Sequence, residues 1–463
     1  TGITVSPRVG FTWDVLGDKT LKLRGGSGLF MGRSPLVFFT NMPTNSGMVQ
    51  YQAQLSAKKN VDMSQFAGGL VVNSEGRPTI DALRSKLIAM GYPENISPDK
   101  GTLPATISAV SPDFKMPQVW KTTLAVDYKL PVSFPMQVTV EGIFDKNVNA
   151  ACISDWSIPS AGGFARFNGA DNRPIYPAGF RNNLAAFVLE NTHKGYFWSA
   201  NLMVTARPAE WINLMASYTH QVRKEITGMP GSNAESAFTY VPTSEGPNHI
   251  KLHNSQYLTP DRFVASMQIN DKCNNHYSFI YETWRGGYNY SYMTVNDMNG
   301  DGYNYDAIYV PTDAEVESGA FRFVSQDDQD RFMGFLHNNK SLSKYQGKYA
   351  EGYSVYNPWV HRVDFSYKHD FKLNIGSTKH TLQLGIDIKN LLNLFNSSWG
   401  VSKTLNSAIG EDARILKYEG VDAQGVATFS TPSAINADTK LFTPLHALGQ
   451  CWNMGITVKY IFN

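Results

Sequence analysis

No stretch of about eighteen consecutive apolar residues occurs in the 463-residue chain, which excludes a transmembrane helix. Charge of one sign is also lacking. Lys and Arg number 41 against 39 Asp and Glu, so nothing in the balance calls for a nucleic acid or another polyanion as partner. Cysteine is scarce: Cys152, Cys273 and Cys451 lie far apart with no C-x-x-C spacing, so neither a zinc knuckle nor a disulfide framework is implied. One pair with a free thiol, or three free thiols, both fit. Catalytic motifs are missing too. His193, His220, His249, His253, His361, His369 and His380 show no H-E-x-x-H spacing, and no serine sits in a G-x-S-x-G elbow, so no enzyme is expected. Thr1 to Pro7 is neither a start methionine nor a signal peptide, and the chain reads as a piece of a longer one.

What is present is alternation. Aromatic residues make up 13% of the chain, enough to girdle a membrane wall or to line a binding surface. In the last segment Trp452, Met454, Ile456, Val458, Tyr460 and Phe462 share one parity, while Asn453, Gly455, Thr457, Lys459 and Ile461 share the other. A strand points successive side chains to opposite faces, so this stretch has a greasy wall and a mostly polar one. The same pattern recurs upstream. Trp120, Leu124, Val126 and Tyr128 oppose Lys121, Ala125, Asp127 and Lys129. Val363, Phe365 and Tyr367 lead through a turn near Asn374–Ser377 into Leu382, Leu384, Ile386 and Ile388. About eleven such strands can be counted, most about ten residues long, the length of a tilted membrane-spanning strand.

The connections between strands alternate strictly in length. Short turns fall on one side. On the other lie long segments: Met31 to Met116, Ala150 to Phe187, Lys224 to Pro260, Gly286 to Pro358 and Phe395 to Leu448. Long structureless loops are uncommon in compact soluble domains, whereas an outer-membrane barrel has short periplasmic turns and long extracellular loops. The expected fold is therefore all-β: an antiparallel transmembrane β-barrel wall. The competing expectation is a soluble β-rich binding protein.

Within the loops, Ile80, Leu83, Leu87 and Ile88 predict a helix stopped by Gly91, and Ser325 followed by Asp328 predicts a helix start. Asp297, Asn299 and Asp301, followed by Gly302, offer oxygen ligands at alternate positions with a glycine for the bend; Tyr303 and Asp306 complete the set. That arrangement suits a Ca2+ ion, although Ile308 occupies the position where an EF-hand needs a carboxylate. The other reading is a polar turn held by Asx hydrogen bonds. Tyr288, Tyr290, Tyr292 and Tyr305 form an aromatic patch in the same loop, suited either to contact a sugar or peptide or to pack the loop. Lys121, Asp127, Glu141, Asp364 and Asp387 fall on the inward parity and are expected to form a solvated ion network. His361 and His369, on the apolar parity, are expected at the membrane interfaces.

Several stretches together resemble the TonB-dependent outer-membrane transporters of Bacteroidota, of the SusC/RagA-like or Oar-like group. They are Ser6–Phe11, Arg24–Pro35 with Thr40-Asn41, Asp297–Gly302 with Asp306–Pro311, Leu342–Glu351 with Pro358-Trp359, Lys389–Asn396 with Trp399-Gly400, and Tyr460-Ile461-Phe462. They run the length of the chain in family order. Gln346 and Gly352 depart from positions that tend to arginine, and Asn463 follows the usual terminal aromatic. The resemblance implies that residues 1–463 are the C-terminal half of a 22-stranded barrel, with Trp452 to Phe462 as the barrel-closing strand and the plug domain outside this chain. It implies energised uptake of an oligosaccharide or peptide nutrient across the bacterial outer membrane. The implied partners are the N-terminal half of the barrel with its plug, the TonB-ExbB-ExbD system, a SusD-like lid lipoprotein and outer-membrane lipids. A surface adhesin or assembly scaffold with no uptake role is the alternative.

Overall fold

Alternating apolar and polar residues, broken by turn formers, produce eleven long antiparallel strands in the computed structural model. These are β1 (Arg8–Asp14), β2 (Leu21–Met31), β3 (Gln118–Lys129), β4 (Met136–Asp155), β5 (Tyr196–Ala209) and β6 (Ile212–Glu225). They continue with β7 (Asp261–Asn270), β8 (Asn275–Arg285), β9 (Val360–Ile375), β10 (Thr378–Lys389) and β11 (Asn453–Phe462). The structure describes residues 5–462 except 34, 45, 47–48, 50–61, 67–71, 96, 98, 100–105, 160–162, 181–184 and 411. Ser34 and Asn463 of the family-like stretches therefore lie outside the described residues.

Each of the eleven strands pairs with its neighbour in sequence order, making one meander. Among the described residues β1 and β11 each have a single neighbour in this path and do not pair with one another. The register carries the outward parity across the sheet: Trp13 opposes Leu23, Leu23 opposes Val126, Val126 opposes Val140, Val140 opposes Leu202, Leu202 opposes Tyr218 and Tyr218 opposes Phe263. On β11 this face is bare, with Ile456 73% and Val458 67% exposed. In water, so continuous an apolar surface would cost roughly 25 cal/mol per Å2. Against lipid tails that cost vanishes. No helix among the described residues is long and apolar enough to cross a membrane.

The short turns are 15–20, 130–135, 210–211, 271–274 and 376–377. They close tightly because polar side chains take up the freed main-chain donors. In the β7–β8 turn Asp271 Oδ1 accepts from the N–H of Cys273 at 2.8 Å and of Asn275 at 2.9 Å, while Asn274 adopts φ 62°. The long segments all leave from the opposite end. The helix expected around Ile80–Ile88 spans Ile80–Ala89, with Thr79 Oγ1 accepting from Ala82 N, and the one after Ser325 spans Gln326–Asn338. Two strands run well beyond the ten residues expected: β4 has 20 and β9 has 16. The outer part of β4 does not end at the wall. It continues upward and pairs with Ala185–Thr192, which pairs in parallel with Thr106–Val110. The reason is burial. Ile153, Phe187 and Leu189 join Phe38, Tyr176 and Phe238 in a core built above the sheet.

Candidate functional site

The inner face of the sheet is charged. Arg24, on β2, donates from Nε to Asp127 Oδ2 at 3.0 Å on β3, and its Nη1 lies 3.0 Å from Glu141 Oε2 on β4. Lys121 Nζ and Asp145 stand 3.9 Å apart, and Lys389 Nζ lies 3.1 Å from Asp364 Oδ2. Asp387 instead accepts from Thr457 Oγ1 at 3.4 Å. Four of the five residues expected in the inward network, Lys121, Asp127, Glu141 and Asp364, are thus ion-paired, with Arg24 as a member that alternation did not single out; Asp387 is held by a hydrogen bond instead. Where the wall meets the long loops, Glu282, Arg362, Asp364 and Lys389 line a cavity of about 300 Å3. The outward histidines bond within the wall: His361 pairs with the Tyr281 hydroxyl at 2.8 Å and His369 with Asn275 Oδ1 at 2.7 Å.

Above the wall, three long segments fold together. Phe167 from the first, Tyr292, Ile308, Phe332 and Leu336 from the second, and Leu405, Ile415, Phe429 and Ile435 from the third share one buried core. Phe321 and Phe429 stack with ring centroids 4.6 Å apart. Thr312 and Glu315 form a capping box that starts the helix Asp313–Glu317. The loops are therefore a packed head, not free connections.

At its centre lies Arg173. Its side chain is fully buried, with Nε and Nη2 each 2.9 Å from the Asp171 carboxylate, Nη1 2.9 Å from Asp306 Oδ1, and Nη2 also donating to Ala307 O at 2.7 Å. Tyr349 donates its hydroxyl to Asp171 at 2.8 Å. Burial pushes the Asp306 carboxyl up, to about 6, against the pull of the Arg173 guanidinium. The two flanking acids in turn hold Arg173 above its ordinary value despite burial. The two shifts have different causes: burial raises Asp306, whereas the neighbouring carboxylates raise Arg173 against its own burial. Nothing local in the sequence marks Arg173, since Asp306 is 133 residues away.

Asp306 also closes the glycine-rich turn by accepting from Met298 N at 2.9 Å. Within that turn Asp297 accepts from Gly300 N and Gly302 N, Asn299 Oδ1 from Asp301 N, and Asp301 Oδ1 from Tyr303 N, at 2.8–3.2 Å. These are Asx hydrogen bonds. Asp306, assigned from sequence to a Ca2+ ligand set, is engaged by Arg173. Tyr303 packs on Phe238 at 5.4 Å. The aromatic patch divides. Tyr290 and Tyr292 are core residues, 7% and 0% exposed, so as ligand-contacting candidates they are corrected to packing: the loop needs their rings to fill its interior. Burial also pushes the Tyr292 phenol up. Tyr288 stays open beside Tyr257 at 5.8 Å, and Tyr305 lies 5.3 Å from Tyr240 with the Arg414 guanidinium 5.5 Å from its ring.

Sequence comparison meets this geometry at one point. The profile of the outer membrane beta barrel domain matches residues 3–411. The chain belongs to that family. The outward apolar rows of this outer-membrane barrel domain are its lipid-facing wall, and the protein resides in the bacterial outer membrane. Among solved structures it is similar to the outer membrane transporter YddB from Escherichia coli, at 10% identity over 98% of this chain and 41% of that one, with a TM-score of 0.44. It is also similar to BauA, the ferric preacinetobactin receptor from Acinetobacter baumannii, at 8% identity over 99% of this chain and 36% of that one, TM-score 0.34. The barrel domain thus spans about two fifths of the length of the solved structures it matches. No curated protein matches it.

Proposed function

We propose that this chain is half of the wall of a TonB-dependent outer-membrane transporter, specifically of the SusC/RagA-like or Oar-like group. The observation that carries the reading is the open eleven-strand sheet with a charged inner face beneath a packed loop head. An open sheet in lipid leaves unpaired main-chain groups, so β1 and β11 require strands from a second half-barrel. The ion-paired inner wall suits a water-filled or plug-filled lumen better than an apolar core. In this reading the head takes an oligosaccharide or peptide nutrient from outside, with Tyr288 and Tyr305 on its surface. A plug and the TonB-ExbB-ExbD system gate its passage, and a SusD-like lipoprotein serves as lid.

Growth of a strain lacking the gene, on a panel of oligosaccharides and peptides as sole nutrients, tests it. The expected result is loss of growth on one class, reproduced by deleting tonB. Unchanged growth together with lost surface attachment would favour an adhesin or scaffold instead.

A further inference from the structure

On the outward face, strands β5 to β9 frame a hollow of about 460 Å3. These are middle strands of the meander, away from both of its ends. The hollow exists because the outward rows step down to small side chains there. In one row Val204 opposes Ala216, Ala216 opposes Ala265, Ala265 opposes Tyr281 and Tyr281 opposes Val363. Ala206 lies in the row beneath, opposite Leu214.

Four residues nearer the head, about 14 Å along the strands, the same face turns from apolar to charged. Asp261 opposes both His220 and Arg285. Asp261 Oδ1 accepts from the Tyr218 hydroxyl at 2.6 Å and meets His220 Nδ1 at 2.8 Å, while Oδ2 accepts from Arg285 Nε. The Arg285 guanidinium lies 5.6 Å from the Tyr356 ring and 5.9 Å from that of Trp359. Beside it Lys224 pairs with Glu351, and the ammonium groups of Lys344 and Lys348 lie 4.8 Å and 5.5 Å from the Tyr345 ring. Partial burial holds the Lys344 ammonium below its ordinary value; Glu351 pulls it up, and the charges of Lys224, Arg285 and Lys348 push it further down. The four cations thus share one neighbourhood. Asp261 and Glu351 answer Arg285 and Lys224, whereas among the described residues neither Lys344 nor Lys348 has an ion pair. Both lysines are exposed.

We infer that this face binds a phosphate-bearing, acylated glycolipid of the outer leaflet. Lys344 and Lys348, with Arg285 beside them, take the head-group phosphates, and one acyl chain lies in the alanine-floored hollow below. A free phosphate would use the lysines and leave the hollow empty. A phospholipid head brings one phosphate to two unanswered lysines, whereas a bisphosphorylated sugar head brings one to each. That the leaflet is the outer one rests on the proposed transporter orientation, which puts the head outside.

The test uses the protein purified from its native outer membrane and stripped of lipid in detergent. Native mass spectrometry follows its titration with bisphosphorylated lipid A, the same lipid A with its phosphates removed, and phosphatidylglycerol. Wild type should bind the bisphosphorylated probe at least tenfold more tightly than either of the others. Lys344→Gln/Lys348→Gln leaves both ion pairs in place and should abolish that preference. Ala216→Leu/Ala265→Leu fills the hollow and should weaken both forms of lipid A at least threefold while keeping the ratio between them. Heat-modifiable migration shows that each variant is folded; a double variant that is not is replaced by Lys348→Gln or Ala265→Leu alone, with the same direction expected. Equal binding of the three probes to wild type, a phosphate preference that survives the lysine variants, or an affinity unmoved by filling the hollow overturns the assignment. None of these affinities depends on uptake, so failure here and failure of the transport reading are told apart.

Discussion

Arg173 Nη1 and Asp306 Oδ1 lie 2.9 Å apart with both side chains out of water, joining two loops 133 residues apart in sequence. Removing one member of such a pair strands a buried charge, at a cost of about 3–5 kcal/mol, whereas an apolar replacement of the whole group is far milder. Arg173→Ala should therefore open the head to limited proteolysis while leaving heat-modifiable barrel migration intact. The triple variant Arg173→Met/Asp171→Asn/Asp306→Asn should recover much of the protection. A protected head in Arg173→Ala would remove the clasp from the account.

The same pair sets a pH dependence. The Asp306 carboxyl is raised from its ordinary value near 4 to about 6 in the folded head. Between those values the folded head holds a proton that the unfolded loop has released, so stability falls as pH rises. The contribution is complete below pH 4 and lost through pH 6. Protection factors around Met298–Ile308, that is, exchange rates divided by the intrinsic rate at each pH, should rise when the buffer goes from pH 7.5 to 5, and Asp306→Asn should flatten that rise.

Main-chain N–H groups, supplied at 2.8–3.2 Å, already bond Asp297, Asn299 and Asp301 in the glycine-rich turn. That turn should keep its shape without a cation. EDTA should leave the proteolysis pattern of the head unchanged; an EDTA-sensitive pattern restored by Ca2+ would return the metal reading.

Adjacent residues on β11 should behave oppositely. Ile456 faces lipid, so Ile456→Arg should cost about 2–4 kcal/mol near the bilayer midplane. Thr457 faces inward beside Asp387, so Thr457→Arg should be nearly neutral. Unfolding titrations in lipid vesicles measure both. Similar losses at the two positions would reverse the assignment of faces.

Native thiols report orientation. Cys273 is exposed in the β7–β8 turn. An impermeant maleimide should label it only after the outer membrane is opened, whereas Ser318→Cys, on the exposed surface of the head, should react on intact cells. Labelling of Cys273 from outside would invert the orientation.

Period-two alternation by itself determined the eleven strands, the outward apolar rows and the inward charges. A strand has only two faces, and in lipid one must be greasy, so pattern and position coincide. The spacing of the long segments likewise determined which end carries the head. Only the tertiary structure decided what those segments do. Tyr290 and Tyr292 read from sequence like Tyr288, yet they are interior residues because three loops converge on them. Asp306 read as a metal ligand, yet it meets Arg173, whose place depends on how a loop 133 residues upstream is folded. Contacts of that range leave no local periodicity, because loop residues answer to whatever is packed against them and not to a repeating backbone geometry.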